Sequence, residues 1–177
     1  MIYFTSDLHI GHANIIKFCD RPFSTVHEMD ETLIENWNAR VTDSDTVYIL
    51  GDLMFRNEID PEEVLSRLKG RKYLITGNHD KKWMHQIDLK KHFEKVSKLM
   101  VLRLGKKTIT LCHYPMMAFE GNYLIYGHIH NNKSDLYYPL LKTMENALNA
   151  GVEINGYMPV TFEELVENNR KFKLSKD

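Results

Sequence analysis

The chain has 177 residues, a net charge of −1, and 43% apolar against 27% charged residues. This length predicts one domain over residues 1–177, large enough to bury a core without disulfide staples. The near-neutral charge provides no global field to attract nucleic acid or a membrane, and no run approaches the roughly 20 apolar residues of a membrane span. The two cysteines, Cys19 and Cys112, have neither a disulfide nor a metal-binding spacing. We therefore expect a cytoplasmic protein.

Five strand-like apolar runs each end at a residue of metal-binding type. In an open α/β sheet, ligands bind outside the carboxyl ends of the strands, so we expect the five junctions to converge. In chain order they are Ile2–Ser6 before Asp7-Leu-His9, Thr46–Leu50 before Gly51-Asp52, Arg71–Thr76 before Gly77-Asn-His-Asp80, Thr108–Cys112 before His113, and Tyr123–Tyr126 before Gly127-His-Ile-His130.

Helices are predicted between and after these strands from capping residues and helical spacing. The order of elements predicts an α/β layered fold whose first half is β-α-β and whose second half is a β meander. The segment Lys95–Leu111 reads as a hairpin that turns at Gly105-Lys-Lys107. The helix markers are the capping pair Thr25 and Glu28 for a helix over residues 26–40, the N-cap Asp60 with Pro61 for a helix that ends before Gly70, and the capping pair Thr161 and Glu164 for the last helix.

The junctions offer imidazoles, carboxylates and one amide, but no thiolate. This mixture suits Mn²⁺, Fe²⁺ or Zn²⁺ better than Mg²⁺ or Ca²⁺, which prefer oxygen ligands. There are too many groups for one ion but enough for two, with some left for proton transfer. The candidates are Asp7, His9, Asp52, Asn78, His79, Asp80, His113, His128 and His130.

Charge counting favours a phosphorylated substrate. Two divalent ions bring four positive charges, and the carboxylates of Asp7 and Asp52 cancel two of them, which leaves about +2. Such a site prefers a phosphoryl dianion to a neutral amide. Two ions about 3.5–4 Å apart are the arrangement that activates water and stabilises in-line displacement at phosphorus.

The ordered set Asp-x-His, Gly-Asp, Gly-Asn-His-Asp, a lone His and Gly-His-x-His resembles the calcineurin-like metallophosphoesterase superfamily. All five blocks occur in family order and frame residues 7–130. The opening Phe-Thr-Ser-Asp-Leu-His-Ile-Gly-His-Ala-Asn-Ile-Ile resembles a small bacterial and phage branch of phosphoesterases without a cap domain. The resemblance implies two mixed sheets flanked by helices, with the metal site at the carboxyl ends of the strands.

The resemblance also implies a dinuclear centre. The two ions would be divalent transition metals, with Mn²⁺ preferred and Fe²⁺, Zn²⁺ or Ni²⁺ as alternatives. A metal-bridging hydroxide would then attack phosphorus without a covalent enzyme intermediate. By this likeness the first ion takes Asp7, His9 and His130, the second takes Asn78, His113 and His128, and Asp52 bridges both.

Four residues, two of them outside the nine above, are candidates for catalysis or substrate contact. The resemblance places His79 off the metals and facing the substrate, where it stabilises developing charge or protonates the leaving oxygen. Asp80 would orient that imidazole and favour its charged form. His12 contacts a substrate phosphate or merely starts the following helix. Arg56 pins a phosphate oxygen or, as the favoured alternative, is an ordinary surface arginine.

The leading hypothesis is a hydrolase that cleaves phosphomonoester or phosphodiester bonds of a small substrate, such as a nucleotide or cyclic nucleotide. Its partner is then a small phosphorylated molecule rather than nucleic acid or a membrane. One alternative keeps the same site in a nuclease or protein phosphatase. For a nuclease, the basic band from Lys81 to Lys107 is the relevant feature, although a solvated face explains it more simply. The other alternative is a catalytically silent binding scaffold.

Overall fold

The described part of the chain contains eight short strands and seven α-helices. The computed structural model describes residues 1–55 and 59–175. The strands are β1 Ile2–Thr5, β2 Thr46–Ile49, β3 Arg71–Ile75, β4 Phe93–Ser97, β5 Leu99–Leu104, β6 Lys107–Cys112, β7 Tyr123–Tyr126 and β8 Ala147–Asn149. The helices are α1 Ala13–Phe18, α2 Val26–Arg40, α3 Pro61–Arg67, α4 Lys81–Met84, α5 Leu89–His92, α6 Tyr138–Thr143 and α7 Phe162–Leu174.

The first sheet has the order β1-β2-β3-β4, and all three strand pairs are parallel. An antiparallel bridge from Phe4 to Val160 adds a contact on the outer side of β1. Because the strands run in the same direction, their carboxyl ends lie along one edge of the sheet. The predicted β-α-β first half is confirmed.

The second sheet has the order β5-β6-β7-β8 and mixes directions. β5 and β6 form the predicted hairpin around Gly105, which has the positive φ of a tight turn. However, β6, β7 and β8 pair in parallel, so the predicted meander is wrong beyond this hairpin. The connections after β6 and β7 return to the start of the next strand, which brings those strand ends to the same edge as well. The hairpin also starts later than predicted, because residues 95–97 pair with β3.

The three predicted helices are present, and their caps explain their starts. Thr25 accepts a hydrogen bond from the backbone N–H of Glu28 at the start of α2, and Asp60 accepts one from the backbone N–H of Glu62 at the start of α3. Thr161 and Glu164 form a reciprocal capping box at the start of α7. Each cap satisfies backbone donors that the first helical turn leaves without partners. Across the described ranges, no helix combines the length and apolarity required to cross a bilayer.

Apolar side chains form the layers of the fold. One cluster packs the first sheet against α2 around Trp37, Val47 and Ile49. A second fills the space between the sheets, where Phe4 and Leu50 meet side chains of β6, β7 and α7. A smaller cluster lies under α6. Helices therefore cover both outer faces of the paired sheets, as the predicted layered α/β fold requires.

Leu165 tests the contribution of α7 to the layer between the sheets. Its side chain is fully buried, whereas the neighbouring Val166 is 37% exposed. Leu165→Ala should lower the free energy of unfolding by about 2–5 kcal/mol, because it removes buried methyl groups and leaves a cavity. Val166→Ala, as the control, should change it by about 0.5 kcal/mol or less. Urea unfolding measures both, and equal effects would contradict the assigned packing.

Candidate metal centre

The loops that follow five strands bring the predicted ligands together. Asp7, His9 and His130 each offer a ligand atom, and these atoms all lie within 4.8 Å of one another. Asp52, His113 and His128 form a second group with the same spacing. The two groups combine loops from both sheets. The convergence expected from the strand ends is therefore observed.

Asp52 lies between the two groups. Its Oδ2 atom is 3.6 Å from Nε2 of His9 and 3.5 Å from Nε2 of His113. Its Oδ1 atom accepts a hydrogen bond from the backbone N–H of His79. Asn78 joins the second group, since its Oδ1 atom is 3.1 Å from Nε2 of His113. One carboxylate oxygen thus faces both groups, as a shared ligand would.

The donor set fits divalent cations by its chemistry and by one unsatisfied atom. Nε2 of His9 is buried and has no hydrogen-bond partner within residues 1–55 and 59–175. A buried polar atom without a partner is costly, so its presence requires an explanation. A bound cation provides one. Imidazole and carboxylate ligands together suit a transition metal.

The backbone at these positions is strained. Residues other than glycine with φ in the left-handed region are uncommon, and they concentrate at functional sites. Here the strain directs side chains from tight strand-end turns into a common space. The values of φ are 57° at Asp7, 53° at His9, 51° at Asp52, 74° at His128 and 52° at His130.

Two glycines permit close approach between the loops. A Cβ atom on Gly127 would lie 1.9 Å from Oγ of Ser6, and one on Gly77 would lie 2.2 Å from Oδ1 of Asp52. Both distances are far below ordinary contact. A glycine before each of these two ligand segments is therefore required by sterics.

Hydrogen bonds fix the orientation of two candidate histidines. Nδ1 of His113 lies 2.6 Å from the carbonyl oxygen of Leu50, to which it donates when Nε2 is free to bind a metal. Nδ1 of His130 lies 2.9 Å from Oε1 of Glu153. Such partners hold the imidazole ring in place and make the other nitrogen a better ligand.

Arg21 and Glu153 were not identified from the sequence. Arg21 is buried and donates to Oε1 of Glu153 and to the backbone oxygens of Asp7 and Leu8. It therefore links the carboxylate behind His130 to the loop that carries Asp7. The two residues are 132 positions apart, and neither lies in a recognisable motif. No local signal in the sequence marks them.

The electrostatic setting favours a negative Asp52 beside a positive His113. Burial raises the pKa of Asp52, but the interactions with His113, with His9 and with the backbone N–H of His79 together outweigh burial and hold that pKa at about 2. Burial lowers the pKa of His113, yet the carboxylates of Asp52 and Asp7 raise it to about 9. Surroundings that stabilise a proton on an imidazole also stabilise a metal cation, which binds by displacing that proton.

Asp80 has a structural role, and the prediction that it orients the His79 imidazole is wrong. Its buried carboxylate accepts four hydrogen bonds, which occupy both oxygens. Asp80 thereby ties the loop after β3 to the loop after β2. The donors are the backbone N–H groups of Asp52, Leu53 and Gly77 and the indole Nε1 of Trp83.

Of the remaining predicted residues, His79 lies at the rim and His12 is buried beside the first group. The side chain of His79 is 38% exposed, and its Nε2 is 4.0 Å from Oδ2 of Asp52. The ring of His12 stacks on Phe55 with 3.5 Å between centroids, and its Nδ1 is 3.3 Å from Nδ1 of His9. His12 therefore adjoins the first group and also starts α1. Arg56 lies outside the described residues.

Glu153 provides a test of the support behind His130. Glu153→Gln should weaken binding of Mn²⁺ about 10- to 100-fold, because the neutral amide holds the imidazole less firmly as a ligand. Calorimetric titration measures the affinity, and the unfolding midpoint monitors the fold. Glu163→Gln on α7 is the control and should leave the affinity unchanged. Equal affinities in wild type and Glu153→Gln would contradict the assigned role of Glu153 in supporting His130 as a ligand.

Comparison with known sequences places this arrangement in a family. The calcineurin-like phosphoesterase family matches residues 1–146. The uncharacterized protein MJ1445 of Methanocaldococcus jannaschii is 38% identical over 178 residues, which cover 98% of this chain and 93% of that protein. The Gene 66 protein of Mycobacterium phage L5 is 32% identical over 162 residues, which cover 73% of this chain and 77% of that protein.

Solved structures share this fold. A protein of unknown function, AQ665 from Aquifex aeolicus, matches with a TM-score of 0.74 at 28% identity, over 94% of this chain and 98% of that one. The Pseudomonas putida nuclease MPE matches with a TM-score of 0.50 at 18% identity, over 73% of this chain and 61% of that one, which concerns the fold alone. From its sequence match and its fold, the chain belongs to the calcineurin-like phosphoesterase family and is a metal-dependent phosphoesterase.

Proposed function

We propose that the protein is a dinuclear hydrolase that cleaves phosphomonoester or phosphodiester bonds of a small substrate, such as a nucleotide or cyclic nucleotide. The observation that supports this most directly is the position of Asp52. One of its oxygens lies 3.6 Å from Nε2 of His9 and 3.5 Å from Nε2 of His113. A carboxylate between two groups of ligands is suited to bridging two ions.

The donors divide naturally between two ions. Mn²⁺ is the metal we favour, with Fe²⁺, Zn²⁺ or Ni²⁺ as alternatives, because the ligands mix imidazole with oxygen. When bound, such ions supply activation of water and Lewis-acid stabilisation of charge at phosphorus. The first ion would be held by Asp7, His9 and His130, the second by Asn78, His113 and His128, and both by Asp52.

The residues of the chain itself position the substrate and handle the proton. With two carboxylates against two divalent ions, the centre carries about +2, which attracts a phosphoryl group. The backbone N–H of His79 is fixed by Asp52, while its side chain reaches the open rim. The His79 imidazole is therefore suited to donating a proton to the leaving oxygen or stabilising its charge.

Paired variants separate the metal role from the proton role. His79→Ala should reduce kcat for an aryl phosphate about 10²- to 10⁴-fold, because it removes a general acid, yet should retain two bound Mn²⁺. Asp52→Asn should lose both activity and the paired metals, because the amide offers one neutral oxygen in place of a carboxylate. Steady-state hydrolysis and elemental analysis measure these effects.

A histidine on α2 provides the matched control for these variants. His27→Ala removes an exposed histidine from α2 and should change neither activity nor metal content. Hydrolysis stimulated by Mn²⁺ that persists in Asp52→Asn would rule out the dinuclear proposal. Loss of metal in His79→Ala would instead place His79 among the ligands.

A nuclease with the same centre is the second candidate, and one surface feature favours it. From Lys81 to Lys107 there are nine basic residues against two acidic ones. The band begins at α4, immediately after Asp80, so Lys81 and Lys82 are exposed beside the loop of His79. The fold of nuclease MPE is similar to that of this chain. A basic track of this kind binds nucleic acid through its phosphates.

Gel assays with single-stranded and duplex substrates decide between the candidates. A nuclease should cut at low salt, slow strongly as salt rises, and lose cutting in Lys81→Ala/Lys82→Ala, because those cations neutralise backbone phosphates. The small-substrate enzyme should leave both polymers intact while it hydrolyses aryl phosphate. Cutting by the double lysine variant at the wild-type rate would exclude this basic track as the binding surface.

A further inference from the structure

An apolar pocket adjoins the candidate metal centre. It has a volume of about 280 Å³, and its lining includes His128 of the second ligand group. Four of the lining side chains are large, apolar and exposed. Single exposed apolar residues are ordinary on a protein surface, but a cluster of them marks a candidate binding site. The exposed fractions are 46% for Tyr114, 67% for Met117, 62% for Tyr137 and 41% for Leu140.

The pocket is connected to the centre through direct ring contacts. The ring centroid of Tyr114 lies 4.8 Å from that of His128 and 5.0 Å from that of His113. His113 in turn lies 3.5 Å from the carboxylate of Asp52. A group bound in the pocket is thus one side chain away from the centre. The proximity suits the part of a substrate attached to its phosphate.

The chemistry of the lining selects what fits. Tyrosine rings and the Met117 thioether make favourable contacts with aromatic rings. Among the described lining residues, Asp135 is the one that carries a full charge. Its carboxylate accepts a hydrogen bond from the backbone N–H of Tyr137. A negative charge there repels a second phosphate, so the bound group is expected to be neutral or a hydrogen-bond donor.

We propose that this pocket binds an aromatic, uncharged group of the substrate, so that Tyr114 and Tyr137 determine specificity for aromatic or nucleoside phosphoesters. The proposal rests on the proposed phosphoesterase function. A volume of about 280 Å³ is at the lower end for small-molecule sites, which suits one ring system. The exposed apolar surface is then the contact face for this ring.

Two esters with similar leaving alcohols test the proposal. The probes are 2-(1-naphthyl)ethyl phosphate and ethyl phosphate, together with their methyl diesters, and Mn²⁺ is supplied throughout. Because both alcohols are primary, the intrinsic reactivities are similar and the comparison reports binding of the ring. The wild type should show about tenfold higher kcat/KM for the naphthylethyl ester, as expected for one well-packed aromatic contact.

The variant Tyr137→Ala/Leu140→Ala removes two exposed walls of the pocket. Tyr137 precedes α6 without a side-chain capping bond, so its truncation removes no capping hydrogen bond from that helix. The double variant should lose the preference between the esters, mainly through a higher KM for the naphthylethyl ester. Leu136→Ala is the matched control, since Leu136 is 84% exposed and lies next to Tyr137 but outside the lining. It should keep the wild-type preference.

Each outcome bears on a distinct claim. Equal kcat/KM for the two esters in the wild type, or an unchanged preference in the double variant, overturns the pocket proposal and leaves the phosphoesterase function intact. If neither ester is hydrolysed, the proposed function fails and naphthyl fluorescence titration decides about the pocket. Tighter binding of the naphthylethyl ester by wild type than by the double variant then supports the pocket, and equal binding overturns it.

A second copy of the chain is the competing occupant of this apolar surface. Sedimentation at increasing concentration distinguishes it. A wild-type dimer that becomes monomeric in Tyr137→Ala/Leu140→Ala would assign the surface to self-association and overturn the proposal. Monomers in both proteins, together with the ester preference, support it.

Discussion

Carboxylates that accept backbone hydrogen bonds hold the candidate centre together. Asp7 accepts from the N–H of His128 and so ties the first sheet to the second. Asp52 accepts from the N–H of His79, and Asp80 accepts from the N–H groups of Asp52 and Gly77. The loops after β2, β3 and β7 are each fixed by the carboxylate of another loop. The ligand positions therefore depend on one another as well as on the strands that precede them.

This mutual bonding explains how the chain maintains so much local strain. Left-handed backbone costs on the order of 1–2 kcal/mol at a residue other than glycine, and it persists only where the surroundings determine it. Here the surroundings are the packed strand ends and the carboxylate bonds between loops. The cations proposed for the centre would add a further stabilising contribution, because they bind the folded arrangement and not the unfolded chain.

The sequence predicted the ligand segments well because strand ends, glycines and capping residues are local signals. The five junctions, the starts of α2, α3 and α7, and the turn at Gly105 all depend on neighbouring residues. The parallel pairing in the second sheet does not depend on neighbouring residues, because strand direction is set by the path of the connecting loops. Likewise, the hydrogen bonds from Asp52 and Leu53 to Asp80 and the pair of Arg21 with Glu153 depend on contacts between distant segments. The metal assignments themselves stay predictions.

The position of Glu153 has a consequence for where the functional unit ends. The family match stops at residue 146, yet Glu153 lies beyond it and supports both His130 and Arg21. A protein shortened to the matched segment would keep the predicted ligands but would leave the buried guanidinium of Arg21 without the Glu153 carboxylate. Removal of one partner of a buried ion pair costs several kcal/mol. Recombinant proteins that end at residue 146 would contain every recognisable motif but would lack the Glu153 carboxylate that holds His130 and Arg21. The functional unit therefore extends beyond the segment that matches the family.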